Sequence, residues 1–564
     1  MVGEAPGAEE DRVGKPFVGA AGRKLDEMLH GAQIKRSDIY ITNVVKRRPP
    51  NNNIDQYITF GRTEPRVTEA FLAACDELKC ELESVRPNVV CALGNTALYA
   101  LTGKTNISNW RGSVLESTLV PGLKVIPTIH PAAALRQYIF THQIIHDLVK
   151  VRTESGFSDI RHPEYSAQLR PTFEDALSYL DKCAKAPKVA VDIEVVSEEI
   201  ECLAFALSAK DSCCIVFYDD GPVFSLEEEA EIWCRIGRIL ADENVTKIFQ
   251  NAAFDCTFIF ERYGLVTNNI EDTMIAQGLV TPDMPKGLDF IASIYTNFPY
   301  YKGEGKSWYR NPAGSAVGFW HYNCLDTLTT FAASIPLLQD VERMGLTETY
   351  KSHIALVPII IKMQSRGIRM NKEEMITLSK YCKKRIEELT GELQKLVGYD
   401  INPKSPKQLV AYFYIHKGIK PYIKDGKPTT DEKALIKLSA KGHIEAKIIL
   451  EIRKLQKLRG TYLEVKLDGD RLKCSFNPIG TTTGRLSSSK NIFGYGTNMQ
   501  NQPPEMKAMM YVDEGYIGYN VDLAGADSRF VAYCGPVPLM REAYDKGLDL
   551  HSITASHIFN CLLY

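Results

Sequence analysis

Five residues in the middle of the sequence combine carboxylates with spacings that could bring them together. The run KVAVDIEVV places Asp192 and Glu194 two residues apart, so on a strand both side chains leave the same face. The segment FQNAAFD puts Asp255 near the start of a helix, and HYNCLD puts Tyr322 and Asp326 four residues apart on one helical face. Carboxylates held side by side in apolar surroundings repel one another unless a proton or cation lies between them. The pattern therefore predicts a proton or a cation between the carboxylates, and oxygen-only ligands would suit Mg²⁺ or Mn²⁺.

A lone D-x-E pair would more often mark a solvated strand face than a site. Here the three motifs follow in order at intervals of about sixty and seventy residues, which is hard to obtain by chance. The set resembles the DEDDy family of 3′→5′ exonucleases. This resemblance implies that Asp192, Glu194 and Asp326 hold one ion and that Asp192 and Asp255 position a second, in a two-metal cleavage of phosphodiester bonds. It also implies that Tyr322 orients the attacking water. Two neighbours are expected to shape the site rather than react: Asn251 and Phe254.

Four stretches near the N-terminus occur in a fixed order: GEAPGAEEDRVGKPFVG, YITNVVKRRPP, VVCALGNTAL and IHPAAALR. A Gly-rich loop alone usually means only a turn. Together the four resemble the uracil-DNA glycosylase superfamily, closest to its iron–sulfur branch. The resemblance implies that Phe17 stacks on a flipped uracil, that Asn43 reads its edge and that His130 stabilises the leaving base. Glu4 would position water or offset the sugar cation. Taken alone, His130 would be interpreted as a hydrogen-bonded structural histidine.

One part of this motif set departs from the family. Arg47 stands in VKRRPP where the family has a cysteine, and only Cys75 matches an expected cluster ligand. A [4Fe–4S] cluster needs four thiolates. We therefore expect no iron–sulfur cluster. The residues leave open whether this domain removes uracil, senses it or only binds DNA.

The second half of the chain carries INPKSPKQLVAYF, then TTTGRLSSS and NMQNQP, then DLHSITASHIF. This order resembles the thumb and early palm of family A DNA polymerases. A basic helix at about 444–460 would track the backbone of a DNA duplex, although a solvated helix face is the simpler alternative. Arg485 would contact the primer–template near the site.

The segment GYNVDLAGADSRF raises an aspartate out of an apolar run, as metal-binding aspartates do at strand ends. Asp522 matches the first catalytic, metal-binding aspartate of the palm. Asp527 stands where the family usually has a glutamate that blocks the ribose 2′ position, Leu523 replaces a tyrosine, and Arg529 is retained. The fingers helix and the second palm aspartate are not found. We therefore expect no primer extension by this polypeptide alone, and dNTP binding only with the remaining part. A gene fragment, a split gene or an intron-interrupted polymerase fits. The fusion of a glycosylase-like domain to a polymerase resembles polymerases of certain large bacteriophages.

The alternation of strand-like and helix-like segments around these residues predicts a multidomain α/β protein. The expected parts are an N-terminal glycosylase-like α/β/α domain, an RNase H-like exonuclease domain, a helical thumb and an incomplete palm. In the thumb, Asn371 and Ser405 are plausible helix N-caps. The predicted boundaries are 1–150 for the glycosylase-like domain, 151–170 for a polar linker, 171–340 for the exonuclease, 341–475 for the thumb and 476–564 for the palm.

Composition limits the class of protein. The 564 residues are 45% hydrophobic and 24% charged, as in a soluble globular protein, and the net charge is only −2. DNA binding must therefore come from local basic patches. Fourteen scattered cysteines indicate reduced thiols and a cytoplasmic location, in a host bacterium if the gene is a phage's. No run is long enough to cross a membrane. We expect a DNA replication polymerase with proofreading; a stand-alone repair nuclease–glycosylase and a non-catalytic primer–template binder are the alternatives.

Overall fold

The computed structural model describes residues 1–61, 64–303 and 316–560. It confirms the predicted multidomain α/β architecture. Residues 304–315 of the predicted exonuclease domain and residues 561–564 of the predicted palm lie outside the described residues.

A five-stranded sheet forms the centre of the N-terminal region. Four neighbouring strands are parallel and the last is antiparallel. The strands Val90–Leu93 and Lys124–Thr128 are buried along their whole length, as expected for strands covered on both faces. The order across the sheet is Thr42–Asn43, Val2–Gly3, Val90–Leu93, Lys124–Thr128 and Leu115–Glu116. The surrounding helices are Ala8–Val13, Ala20–Gly31, Arg36–Asp38, Pro50–Asn52, Ile54–Gln56, Glu69–Val85, Asn95–Thr102, Ile107–Trp110, Pro131–Ala134 and Ile139–Glu154, beside a hairpin of Ile58–Thr59 and Arg66–Val67.

A six-stranded sheet organises the second region. Its centre is an antiparallel hairpin, Lys188–Val196 with Glu199–Ser208, and parallel strands extend it on one side. The order is Ile270–Asp272, Thr246–Phe249, Lys188–Val196, Glu199–Ser208, Asp211–Val216 and Ser166–Leu169. The helices are Phe173–Cys183, Leu226–Ala241, Ala252–Tyr263, Thr273–Val280, Leu288–Tyr295, Val317–Arg343 and Thr347–Arg366. The largest apolar core of the described residues lies between this sheet and these helices.

Two elements of this region fall outside its predicted boundaries. The strand Ser166–Leu169, in the predicted linker, pairs in parallel with Asp211–Val216 and covers the sheet edge. The helix Thr347–Arg366, in the predicted thumb, packs on the region of the six-stranded sheet through buried polar groups. The Tyr350 hydroxyl accepts from the Asp272 N–H at 2.8 Å, and the Gln364 amide donates to the Ala253 carbonyl at 3.2 Å. Both elements are anchored by distant partners, which a local composition pattern does not reveal.

The remaining chain forms a helical layer followed by short strands and helices. Asn371 accepts from the Glu374 N–H and Ser405 from the Gln408 N–H, so both predicted N-caps are formed. The elements are Ile368–Met370, Lys372–Val397, Pro406–Val410, Ala411–His416, Ile423–Lys424, Lys427–Pro428, Glu432–Ala440, Ile444–Lys457, Leu458–Leu463, Arg471–Leu472, Ser475–Asn477, Ser487–Ser489, Met499–Asn501, Pro504–Ala508, Met510–Tyr511, Ala526–Cys534, Pro538–Asp545 and Leu550–Phe559.

The basic helix Ile444–Lys457 exposes only part of its positive charge. Lys447, Lys454 and Lys457 are exposed. Arg453 instead donates to the carbonyl oxygens of Pro403 and Thr430 at 2.8 and 2.9 Å. Arg453 therefore holds loops of the helical region together, and three lysines remain available on its surface.

The apolar run around Asp522 does not form a strand, contrary to the strand-end position that its pattern indicates. Residues 516–523 have no regular structure, and Tyr519 and Val521 are 85% and 84% exposed. A strand requires a neighbour that pairs with its backbone groups. In the part of the chain that the structure describes, no strand pairs with this run.

Candidate active sites

The central strand of the six-stranded sheet presents the first two carboxylates. Asp192 and Glu194 lie two residues apart on Lys188–Val196, which pairs on both sides, and Asp326 faces them from the helix Val317–Arg343. One carboxylate oxygen from each of these three residues lies within 4.8 Å of the others. Glu194 and Asp326 are buried. Within the described residues this is the only group of three or more side chains with metal-ligating geometry.

A fourth carboxylate, that of Asp255, contacts the same strand from a different helix. It lies in the first turn of Ala252–Tyr263 and is buried. Its Oδ1 accepts from the N–H of Ile193, the residue between the two strand carboxylates, at 3.1 Å. The helix can begin there because Asn251 adopts a left-handed conformation with φ of 75°, which asparagine tolerates well. Asp255 is thus tied to the cluster through the backbone of the strand.

The acidic residues act on one another electrostatically. Burial raises the pKa of Asp192, and the negative charges of Asp326, Asp255 and Glu194 raise it further. Burial also raises the pKa of Asp255, against the opposing hydrogen bond from Ile193. Both shifts mean that the ionised carboxylates are stabilised by a cation placed among them. The oxygen ligands, their proximity and their burial fit a hard divalent ion.

Tyr322 lies one helical turn from Asp326, and a lysine joins the pair. The Lys302 ammonium donates to the Tyr322 hydroxyl at 2.9 Å and to both carboxylate oxygens of Asp326. Burial, followed by the Asp326 charge, raises the pKa of Tyr322, so its hydroxyl keeps its proton. Tyr322 is therefore placed beside the carboxylates as a neutral hydrogen-bonding group.

Sequence patterns missed three residues that hold this site. Asn323 donates to Asp192 Oδ2 at 2.7 Å; its position three residues before Asp326 on one helical face was the available signal. Asp272 accepts from the N–H groups of Asn251 and Ala252 at 3.3 and 2.7 Å and fixes the helix start. Lys302 has no motif that marks it. Of the two predicted shaping residues, Asn251 forms this helix start, and half-buried Phe254 packs against the apolar core.

The predicted glycosylase residues converge at one edge of the five-stranded sheet. Glu4, Asn43 and His130 lie at or just beyond the carboxyl ends of three parallel strands. Ligands bind at this edge in open parallel sheets. The Phe17 and His130 rings are 5.7 Å apart. A Cβ on Gly3 would lie 2.4 Å from Asn43 Oδ1 and 2.6 Å from the Phe17 ring, so the absence of a side chain there lets the two groups approach.

The loop that carries Phe17 is fixed from two directions. Glu10 accepts from the N–H groups of Val18 and Gly19, and Arg36 donates to the Phe17 carbonyl at 2.9 Å. Phe17 itself has φ of 54° and is buried. The Phe17 ring is therefore held in place before any ligand binds.

His130 is placed for hydrogen bonding as a neutral imidazole. Burial lowers its pKa to about 4. Its Nδ1 accepts from the Ala132 N–H at 3.2 Å, which leaves the proton on Nε2. Glu4 accepts from the Thr96 hydroxyl at 2.6 Å. This group of residues therefore offers one neutral donor and one oriented carboxylate.

The cysteines of this region do not form a cluster ligand set in the part of the chain that the structure describes. Cys75 is buried, and burial raises its pKa to about 11, which opposes the thiolate that metal binding needs. Arg47, at the family's cysteine position, is exposed. These residues do not fit a [4Fe–4S] group, and the absence of a cluster stays a prediction.

The predicted palm residues do not form a metal-ligand group within the described residues. Asp522 is exposed. Arg485 forms an exposed ion pair with Asp527 at 3.2 Å. Arg529 donates to the Ala524 carbonyl at 3.0 Å and stacks over the Tyr544 ring at 4.4 Å. The structure therefore assembles the nuclease and glycosylase sets but not a metal site at Asp522. None of the helices that it describes combines the length and hydrophobicity needed to cross a lipid bilayer.

Comparison with known protein families divides the chain into three segments. The family model "Uracil DNA glycosylase superfamily" matches residues 1–148, "3′-5′ exonuclease" matches residues 171–332, and "DNA polymerase family A" matches residues 372–563. The chain therefore combines a uracil-DNA glycosylase superfamily segment, a 3′-5′ exonuclease segment and a segment that matches DNA polymerase family A. The polymerase match disfavours a stand-alone nuclease–glycosylase. An exonuclease domain of this type depends on divalent metal, which the carboxylate cluster suits.

Individual relatives follow the same division. The chain is 27% identical to DNA polymerase I of Rhizobium leguminosarum over 345 residues, 58% of this chain and 33% of that protein. It is 40% identical to the type-4 uracil-DNA glycosylase of Archaeoglobus fulgidus over 157 residues, 27% of this chain and 73% of that protein. The M. smegmatis Pol1 polymerase domain, solved with primer–template and dNTP, has a TM-score of 0.55 at 22% identity, covering 70% of this chain and 67% of that one. The chain spans about a third of the DNA polymerase I relatives.

Proposed function

We propose that residues 171–340, together with the edge strand Ser166–Leu169, act as a 3′→5′ exonuclease that removes nucleotides from single-stranded DNA ends during replication. The observation that supports this proposal is the carboxylate cluster. Asp326, on a helix, lies beside the strand residues Asp192 and Glu194, with one oxygen of each within 4.8 Å of the others. Asp255, fixed to the same strand, completes the acidic set. The matched exonuclease family supports the reaction and the substrate class.

The residues would divide the work as follows. Asp192, Glu194 and Asp326 would hold one Mg²⁺ or Mn²⁺ ion, and Asp192 with Asp255 would position a second. Such ions stabilise the attacking and leaving oxygens of phosphodiester cleavage. The neutral Tyr322 hydroxyl would orient the attacking water. Asn323 holds the Asp192 carboxylate in one rotamer through its 2.7 Å hydrogen bond.

A second function is favoured by the residues that converge at the carboxyl edge of the five-stranded sheet. We propose that this edge of the sheet binds uracil flipped out of DNA and releases it. Phe17 would stack on the base and Asn43 would read its edge. The His130 Nε2–H would stabilise the negative charge that develops on the leaving base. Glu4 would position the water. Neutral His130 suits this role because it donates without carrying a buried charge.

The polymerase-family segment is proposed to bind primer–template DNA. Arg485 and the exposed lysines of Ile444–Lys457 supply positive charge for phosphate contacts. Asp522 would be the metal-binding aspartate of a family A palm, with Asp527 near the nucleotide sugar and Arg529 supporting the helix. We propose that the glycosylase-like domain comprises residues 1–150, the thumb residues 341–475 and the palm residues 476–564. The helix Thr347–Arg366 of the thumb range packs on the exonuclease domain.

One substrate tests both proposed activities. A 5′-labelled single-stranded oligonucleotide with one internal uracil would show stepwise shortening by the exonuclease and an alkali-sensitive break after uracil release. We expect Asp192→Ala with Glu194→Ala to slow shortening by about three orders of magnitude, equivalent to roughly 4 kcal/mol of transition-state stabilisation. We expect His130→Asn to slow uracil release by about two orders of magnitude.

Each variant is the folding control for the other. The carboxylate double variant should release uracil at the parent rate, and His130→Asn should shorten DNA at the parent rate. Undiminished shortening by the double variant would refute the nuclease assignment. A parent protein that shortens DNA but never releases uracil would refute the glycosylase assignment alone.

A further inference from the structure

A buried lysine lies inside the carboxylate site. The Lys302 side chain is 16% exposed. Among the described residues, its ammonium donates hydrogen bonds to the Tyr322 hydroxyl at 2.9 Å and to both carboxylate oxygens of Asp326. Its Nζ also lies 4.7 Å from the centre of the Tyr322 ring. Burying an ammonium group is costly unless charged partners compensate it. Here Asp326, which is proposed to bind metal, and Tyr322, which is proposed to orient water, compensate the buried ammonium group.

The contacts of Lys302 overlap those that a metal ion needs. A carboxylate has about four lone-pair positions, and Lys302 takes up positions on both oxygens of Asp326. Asp192 and Glu194 lie within 4.8 Å of that carboxylate, so one positive charge offsets the mutual repulsion of three acids. A divalent ion brought to the cluster therefore competes with the ammonium group for Asp326.

We infer that Lys302 is a positioning residue of the exonuclease site, which takes the place of a cation at the carboxylate cluster and holds the Tyr322 hydroxyl beside Asp326. This inference rests on the proposed nuclease function. It has two consequences of opposite sign. Lys302 weakens the binding of the divalent ion by charge repulsion, and it raises the cleavage rate by fixing Tyr322.

These opposite signs separate positioning from a structural role. A lysine that only supports the fold would, when removed, lower both metal affinity and cleavage. Removal of a competing charge should instead tighten metal binding, because the full negative charge of the cluster becomes available. Cleavage should fall at the same time, because the Tyr322 hydroxyl loses the donor that holds it.

The test compares Lys302→Met, Lys302→Arg and Lys188→Met in the full chain. Lys188 begins the same strand as Asp192 but pairs with Glu271 at the surface at 2.7 Å, so it controls for loss of a lysine in this domain. Mn²⁺ binding without DNA is measured by electron paramagnetic resonance, and DNA shortening is measured at saturating Mn²⁺.

We expect Lys302→Met to bind Mn²⁺ about tenfold more tightly and to shorten DNA at least tenfold more slowly. Lys302→Arg, which keeps the charge, should bind Mn²⁺ within threefold of the parent and recover part of the rate. Lys188→Met should match the parent in both measurements. Unchanged or weaker Mn²⁺ binding by Lys302→Met, or an unchanged rate, would overturn the inference.

The two proposals fail differently. If the parent binds Mn²⁺ but does not shorten DNA, the proposed nuclease function fails, whereas the Mn²⁺ measurements still decide whether Lys302 competes for the cluster. If Lys302→Met does not fold, Lys302→Arg decides, because an affinity more than threefold from that of the parent would contradict the role of charge.

Discussion

Two aspartates in this chain rise out of similar apolar runs and meet opposite environments. Asp192, in VAVDIE, lies on a strand with neighbours on both sides, and its carboxylate has two acidic partners within 4.8 Å. Asp522, in YNVDLA, lies on an exposed segment without regular structure. The apolar run alone therefore does not make a metal site. The difference lies in what the rest of the chain brings to the run.

The partners of the Asp192 run come from far along the sequence. The helices that carry Asp255 and Asp326 pack on the sheet. Asn323 donates a hydrogen bond to Asp192, and Lys302 donates to Asp326. In the described residues nothing covers the Asp522 run, whose apolar side chains stay in contact with water at an energetic cost. The comparison predicts that changes of the same chemical kind have large effects in one region and small effects in the other.

The largest contrast is expected between Asp255→Asn and Asp522→Asn. Asparagine keeps the oxygen that accepts from the Ile193 N–H, so the fold should persist while the negative charge is lost. We expect Asp255→Asn to slow DNA shortening by about two to three orders of magnitude, since charge at a two-metal site is worth several kcal/mol. Asp522→Asn should leave shortening within twofold of the parent. Single-turnover rates on the same labelled strand measure both.

Equal effects of these two variants would contradict the expected difference between Asp255 and Asp522, because the exposed aspartate would then contribute to DNA shortening. Thermal unfolding supplies the control. Both variants should unfold within about 2 °C of the parent, since a change below roughly 0.5 kcal/mol shifts the midpoint of a large domain by that much or less.

A second contrast sets two helix N-caps against each other. Buried Asp272 accepts from the N–H groups of Asn251, Ala252, Met274 and Ile275. Exposed Asp549 caps Leu550–Phe559, in the segment that matches DNA polymerase family A. Asp272→Ala should cost about 3 kcal/mol, because several buried donors lose their acceptor, and Asp549→Ala about 1 kcal/mol.

Hydrogen exchange of each helix measures the two costs separately, which suits a chain of several domains. We expect protection of Thr273–Val280 to fall roughly a hundredfold in Asp272→Ala and protection of Leu550–Phe559 to fall about fivefold in Asp549→Ala. Costs of similar size would show that burial does not distinguish the two regions.

The sequence predicted the parts of the nuclease site whose signal is local. A D-x-E pair on a strand and a Tyr-x-x-x-Asp pair on a helix follow from the periods of those elements, and their order resembled a known family. No local pattern marks Asp272 or Lys302, because both act through contacts with residues distant in sequence. The local composition of Ser166–Leu169 likewise indicates a polar linker, whereas in the structure its pairing with Asp211–Val216 forms the edge of the sheet.

The smallest expected effect concerns the exposed ion pair between Arg485 and Asp527, whose side chains are 73% and 90% exposed. Arg485→Ala should change the unfolding free energy by less than about 0.5 kcal/mol, because exposed pairs contribute little. If Arg485 contacts a DNA phosphate, its loss should weaken primer–template binding a few-fold and lower the salt dependence of binding by about one unit of slope. Arg343→Ala is the matched control, since Arg343 is 76% exposed and pairs with Asp340 on a nuclease helix. An equal change of slope in both variants would reflect net charge alone. A change in Arg485→Ala only would give the exposed region a DNA-binding role that its packing does not reveal.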